Sequence, residues 1–139
     1  MREAFATDIN QLANDIIRNI YDYNLDLGNT ILVGHSMGAQ VAYETCLLLE
    51  KNNTPPAGIV ISACHAPHLK ARRILSHLDD DEFIKQLIEI GGLSQELSEE
   101  KKLLNFFLPM LRSDFNITES YHNSISSIKH KLTTPSLLM

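Results

Sequence analysis

Apolar residues recur at helical spacing near the start of the chain, with Ile9, Leu12, Ala13, Ile16, Ile17 and Ile20 on one stripe. Asp8, followed by Gln11 three residues later, predicts a capping-box start for this helix. A Gly28-Asn29 turn ends the unit, and Thr30-Ile31-Leu32-Val33 follows as a short run without polar alternation. Such a run is the pattern of a strand covered on both faces. From Gly38 to about Lys51 the spacing is helical again, with Val41, Ala42, Thr45, Leu48 and Leu49 as the expected buried face. Asn52 to Pro56 breaks that helix, and Gly58 to Ala63 reads as a second buried strand. Helix, strand, helix, strand in this rhythm predicts an α/β fold with a parallel sheet.

The second half changes character. Asp79 and Glu82 form another capping box, opening a helix through Phe83, Ile84, Leu87 and Ile88 that Gly91-Gly92 ends. A second helix starts near Ser98 and carries Leu103, Leu104, Phe106, Phe107, Leu108, Met110 and Leu111, with Pro109 expected to kink it or begin a new segment. Phe115 to Tyr121 is expected as a further helical piece. This excursion is longer than a crossover requires, so residues 77–122 read as a helical lid inserted in the scaffold, with an extra helical layer as the plainer alternative. Thr134 to Met139 reads as a loop entering a buried strand. No linker or internal repeat divides the chain, and residues 1–139 are expected to form one domain, itself partial, because its first helix has no strand before it.

Composition narrows the classes. Hydrophobic residues make up 44% and charged residues 21% of the 139 residues, a globular balance. The formal charge of −5 leaves no electrostatic footprint for nucleic acid. No apolar run approaches a bilayer span, and Met1 to Phe5 lacks the apolar core of a secretory signal, so a cytoplasmic protein without membrane attachment is expected. Cys46 and Cys64 read as reduced core residues.

The chemistry concentrates at Gly34-His35-Ser36-Met37-Gly38, a G-x-S-x-G that follows one buried strand and opens one helix. That is the context of a nucleophile elbow. The turn is tight enough that side chains at Gly34 and Gly38 are expected to collide with neighbouring backbone. Ser36 is then expected in a strained conformation with its hydroxyl projecting from the sheet edge. The Met37 amide, at the helix start, is placed to donate to an oxyanion. No Gly-Lys-Ser/Thr follows, which excludes a phosphate-binding P-loop.

A serine nucleophile needs a base, and the histidines do not offer an obvious one. His35 points away from its neighbour's reaction face and is expected to pack or hydrogen-bond at the elbow. His65 and His68 follow the second strand on the same sheet edge and are candidates for lining the pocket. As general base they are out of order, since the chain order in α/β-hydrolases is nucleophile, acid, histidine. Cys64, His65 and His68 lack a fourth ligand at usual spacing, so no metal is expected. Leu103, Leu104, Phe106, Phe107 and Met110 are more apolar than a surface helix needs, and part of this stripe is expected to line an acyl channel, Phe107 in particular, with the alternative that the whole stripe is core.

Together, the elbow through Ala39, Ala63 to His68 ending in Ala66-Pro67-His68, Gly91-Gly92, and Phe107-Leu108-Pro109 through Leu111-Arg112-Ser113-Asp114-Phe115 resemble type II thioesterases. These are the stand-alone editing enzymes of nonribosomal peptide and polyketide synthases, related to medium-chain acyl carrier thioesterases. The resemblance implies an α/β-hydrolase fold, here a fragment with parallel strands, nucleophile elbow and helical lid. It implies that Ser36 attacks a thioester carried on the phosphopantetheine arm of an acyl or peptidyl carrier protein. That arm belongs to the substrate, and no cofactor of the enzyme's own is expected. Lys70, Arg72 and Arg73 are the densest basic cluster of an acidic chain and a candidate docking patch for the acidic carrier. Asp114 belongs to the family's lid-to-core segment and is not assigned to the triad.

The family carries its catalytic acid at the end of the strand that Leu137-Leu138-Met139 begins, and its histidine later still. Both are therefore expected beyond Met139, and this chain alone is expected to be inactive, though monomeric when complete. Two alternatives stand beside the thioesterase reading: another serine acyl-transfer enzyme, or an inactive relative that only docks a carrier protein.

Overall fold

The computed structural model describes residues 5–66, 69, 73–125 and 131–139. Helix α1 (Ile9–Asp22) begins where Asp8 accepts a hydrogen bond from the Gln11 amide at 2.9 Å. The Gln11 side chain returns to the amide of Thr7 rather than of Asp8, so the capping box closes one residue early. Ile9, Ala13 and Ile20 are buried, while Ile16 stays 41% exposed. The helix ends before Gly28: the chain reverses at Asn24, which has a positive φ of 50°.

Strands β1 (Ile31–His35) and β2 (Gly58–Ser62) pair in parallel, Ile31 opposite Gly58 and His35 opposite Ser62. Strand β3 (Ser136–Leu138) adds to the far side of β2, also parallel, giving the order β1-β2-β3. Helix α2 (Met37–Lys51) connects β1 to β2 and packs on both strands, burying Ala39, Ala42, Thr45, Cys46, Leu47 and Leu49. Val41 and Leu48, expected on its buried face, are only half-buried. Ala42, Cys46 and Ile59 form the core on the helix side, flanked by Leu32, Ile61 and Leu132.

The expectation of strands covered on both faces is met on one face only. Ile31 is 58% and Val33 72% exposed, alternating along β1 with the half-buried Leu32, which packs on the helix-side core. In β3, Leu137 and Leu138 are likewise exposed.

The region after β2 is helical, with α3 (Asp80–Glu89), α4 (Gln95–Glu99) and α5 (Lys101–Ile125). Asp79 caps α3 through the Glu82 amide at 2.9 Å, and Gly91, at φ 74°, turns the chain out of it. Pro109 neither ends nor restarts the last helix, which runs unbroken through Phe115 and Tyr121. The proline removes an amide that would have bonded the carbonyl of Asn105, a residue on the exposed side of the helix. Leu104 and Leu108 on one side of it and Leu111 on the other are anchored in the same core.

That core consists of Leu75, Phe83, Leu87, Leu93, Leu104 and Leu108, with Phe83 and Phe115 meeting edge to face at 5.5 Å. Arg112 lies 4.5 Å over the Phe83 ring, pairs with Asp80 at 2.6 Å and donates to the Ser76 carbonyl. One helical stretch further, Glu119 accepts bonds from the Leu75 amide and from the amide and hydroxyl of Ser76. The end of α5 turns to the other core: Ile117 and Tyr121 cluster with Ile9, Met37 and Val41, and the Tyr121 hydroxyl donates to Glu44. One helix thus ties the helical region to the nucleophile helix.

Candidate active site

The elbow is built by a close approach. A Cβ on Gly34 would stand 2.2 Å from the Gly38 carbonyl oxygen and 2.6 Å from Ala39 Cα, distances no side chain survives. Gly38 is different. A Cβ there meets nothing within 4 Å, so the collision expected at this position does not exist.

Between them Ser36 has φ 54° and ψ −121°, a region that a residue with a side chain occupies only under constraint. Such a conformation costs on the order of 1–3 kcal/mol and persists where its surroundings over-determine it. Here the Ser36 amide donates to the Ser62 carbonyl at 2.9 Å, and the Ser36 carbonyl accepts from the Ala39 amide at 3.0 Å. His35 Nδ1 hydrogen-bonds Ser62 Oγ at 3.1 Å, locking the ends of β1 and β2 side by side. Ser62 therefore holds the elbow through both its carbonyl and its hydroxyl. Sequence reasoning passed over it, since a strand-ending serine carries no signal until the parallel register sets it opposite His35.

Ser36 occupies the N-cap position of α2 but makes no capping bond with its side chain, and it is exposed. The hydroxyl is thus not spent on its own helix. Met37 opens that helix, where the first amides have no intrahelical acceptor and the dipole favours negative charge. A strained, exposed serine and an adjacent helix-start amide can bind and attack an electrophilic carbonyl.

The other site residues scatter. His65 is half-buried in a cleft of about 540 Å³ with Gln40, Tyr43 and Cys64. Ser36 is not part of its lining. Among the described residues no histidine is hydrogen-bonded to the Ser36 hydroxyl. His68, Lys70 and Arg72 lie outside the described residues, so the basic cluster is represented by Arg73 alone. That side chain bonds Gln86 at 3.1 Å and approaches Glu89 at 3.6 Å, both on α3.

The expected apolar stripe divides. Leu104 is core, whereas Leu103, Phe106 and Met110 are exposed, and Phe107 is half-buried edge to face with Phe106 at 5.2 Å. Cys46 is fully buried, but Cys64 is only half-buried at the cleft. Burial pushes both thiols up, away from the thiolate, and the Cys64 thiol donates to the His65 carbonyl. Burial also pushes the Asp114 carboxyl up, within α5. Among the described residues no group of three His, Cys, Asp or Glu could hold a metal ion, and no helix is long and apolar enough to cross a membrane.

Comparison with known proteins decides the family. The family model of the thioesterase domain matches residues 1–137. The chain belongs to the thioesterase family. It is 43% identical over 133 residues to the probable anguibactin biosynthesis thioesterase AngT of Vibrio anguillarum, covering 95% of this chain and 53% of that protein. The medium-chain S-acyl fatty acid synthase thioesterase of Rattus norvegicus is 32% identical over 123 residues, covering 86% of this chain and 46% of its own length.

Among solved structures, YbtT, a type II thioesterase from the yersiniabactin pathway, superposes with a TM-score of 0.83 at 49% identity, over 95% of this chain and 53% of that one. RedJ, a thioesterase of the prodiginine pathway in Streptomyces coelicolor, gives the same score at 28% identity, over 99% and 53%. These neighbours establish the α/β-hydrolase fold of the thioesterases for this chain. The thioesterase chain spans about half the length of the curated relatives it matches.

Proposed function

We propose that this thioesterase chain carries the nucleophilic half of an enzyme that hydrolyses acyl thioesters on phosphopantetheine carrier proteins. The strained Ser36 at the strand-to-helix turn carries the reading. Ser36 Oγ attacks the thioester carbonyl carbon as its proton passes to a general base, and the Met37 amide donates to the resulting oxyanion. Collapse expels the pantetheine thiolate, which is protonated as it leaves. Water then attacks the acyl-serine ester, releasing a carboxylic acid and the Ser36 hydroxyl. The carrier is left with a free thiol, as an editing enzyme of peptide or polyketide assembly requires.

The helical region, residues 77–122, acts as a lid in this reading. Its exposed Leu103, Phe106 and Met110, with half-buried Phe107, supply an apolar surface for the acyl chain. Lys70, Arg72 and Arg73 steer the acidic carrier. Arg73 divides its charge between that role and Glu89, which weakens its share.

The decisive experiment is Ser36→Ala in the protein extended to the length of its relatives, assayed on an acyl carrier protein. Turnover is expected to fall by about 10⁶-fold with the fold intact. Substantial hydrolysis by that variant would overturn the assignment. In the 139-residue chain alone, turnover is expected to be low, because the described residues offer Ser36 no hydrogen-bonded base. Offering a second thiol as acyl acceptor separates hydrolysis from acyl transfer. Carrier binding without an acyl-Ser36 adduct would instead favour a docking role.

A further inference from the structure

Glu50 is the penultimate residue of α2, where a carboxylate opposes the helix dipole. What it gains there comes from elsewhere in the chain. One oxygen, Oε1, accepts from the Thr133 amide at 2.8 Å, the Thr134 amide at 2.7 Å and the Thr134 hydroxyl at 2.7 Å. Two successive amides and a hydroxyl converging on one oxygen form an anion nest. Thr134 is itself buried, at 6% exposure.

Ahead of the strand that follows, Leu132 packs against Ala42, Cys46 and Ile59, but within the strand no side chain is buried. The β3 side chains are exposed, so no buried pattern distinguishes one alignment from another two residues away. Its ladder bonds, Ile59 amide to Pro135 carbonyl, Met139 amide to Ile61 carbonyl and Ala63 amide to Met139 carbonyl, are backbone bonds that carry no side-chain identity. The grip of Glu50 adds a side-chain anchor just ahead of them, at Thr133 and Thr134. The end of β3 also borders the elbow: Ala63 donates to Met139, and the adjacent Ser62 accepts from Ser36.

We infer that Glu50 is a positioning residue, whose carboxylate seats Thr133 and Thr134 and so sets the register of β3 at the sheet edge that carries Ser36. Burial alone would raise its carboxyl, but the Thr134 and Thr133 donors outweigh this and hold it below the usual carboxylate range. The bearing on catalysis rests on the function proposed above, while the clamp itself does not.

Amide hydrogen exchange on the 139-residue chain tests the clamp. In Glu50→Gln, the Ala63 and Met139 amides are expected to exchange about tenfold faster or more, with the Ser36 and Phe83 amides unchanged. Thr134→Val, which removes only the hydroxyl donor, is expected to speed the same two amides to a lesser degree. Unchanged protection of Ala63 and Met139 in both variants would overturn the proposal. So would a uniform rise at Phe83 as well, since that would make Glu50 a contributor to global stability only.

In the protein extended to family length, Glu50→Gln is expected to lower kcat about tenfold with KM nearly constant, the mark of misplaced groups. An unchanged kcat alongside faster exchange would overturn the positioning role. Absence of Ser36-dependent hydrolysis in the unmutated protein would defeat the proposed function instead, leaving exchange to judge the clamp.

Discussion

Leu87 and Val33 are both aliphatic residues in regular structure, yet Leu87 is fully buried and Val33 is 72% exposed. The contrast extends to their regions. The helices α3 to α5 close around six buried side chains, with the aromatic pair Phe83–Phe115 at the centre and Arg112 laid across it. The sheet packs against α2 on one side, where Ala42 and Cys46 meet Ile59, while Ile31 and Val33 stay exposed, and the nucleophile sits at the end of that layer. The helical region thus closes around its own core, while the sheet that carries the nucleophile keeps Ile31 and Val33 exposed. Stability and chemistry are therefore separable by mutation.

The sharpest break comes from truncating each layer. Phe83→Ala is expected to destabilise by about 3–5 kcal/mol, as a buried aromatic leaves a cavity. Val33→Thr on the bare face should stay within about 0.5 kcal/mol of zero. Denaturant midpoints measured on both variants test this, and equal losses would mean the sheet face is covered in solution.

At the elbow the two glycines divide in the same way. Gly34→Ala forces a backbone collision and should destabilise by about 3 kcal/mol. Gly38→Ala meets open space and should be neutral or stabilising by up to about 1 kcal/mol, as a helix prefers alanine. Thermal melts of the pair decide whether the motif's second glycine serves the fold at all.

Within α5, Leu104→Ala is expected to lose about 2–5 kcal/mol without altering substrate preference. Phe107→Ala should lose about 1 kcal/mol and shift acyl chain-length preference in the family-length protein, measured as kcat/KM across a chain series. A loss of stability at Phe107 matching that at Leu104 would return the whole stripe to the core.

The smallest effect is one of pH. Glu50 has its carboxyl depressed in the folded state, so its contribution is present above its unfolded pKa of about 4.3 and fades as pH falls through the folded value. Tyr43 and Cys46 beside it have pKa values raised, first by burial and then by the charges of Glu44 and Glu50 or of Glu50 alone, and remain neutral throughout that acid range. Protection of Met139 should therefore decline on acidification in the unmutated chain. In Glu50→Gln the decline should be flatter, and a parallel decline would assign the acid response to another carboxylate.

Local signals were the legible ones. Asp8 and Asp79 cap the helices that the sequence predicts, because a cap needs only residues three positions apart. The elbow was legible from a glycine–serine pattern set between two periodicities. The new segment that Pro109 could have begun is absent, since one helix runs through it with Leu104, Leu108 and Leu111 packed in one core on both sides. The second face of the sheet was misread, since an unbroken apolar run reports what a strand can bury, not what is there to bury it. Ser62 and Glu50 were illegible for a common reason: each acts on residues 26 to 84 positions away.

The bridging course of α5 also orders events in time. Its first half shares a core with α3, only a short distance away in sequence, and such local contacts form fast. Its second half can dock only once Ile9, Met37 and Val41 are assembled, and β3 must close a loop of more than seventy residues to reach β2. The strand with the longest loop to close, β3, is therefore expected to join the sheet last. A newly made chain holds its nucleophile elbow beside an unfilled strand position for that interval, which is when a neighbouring chain could take the place of β3.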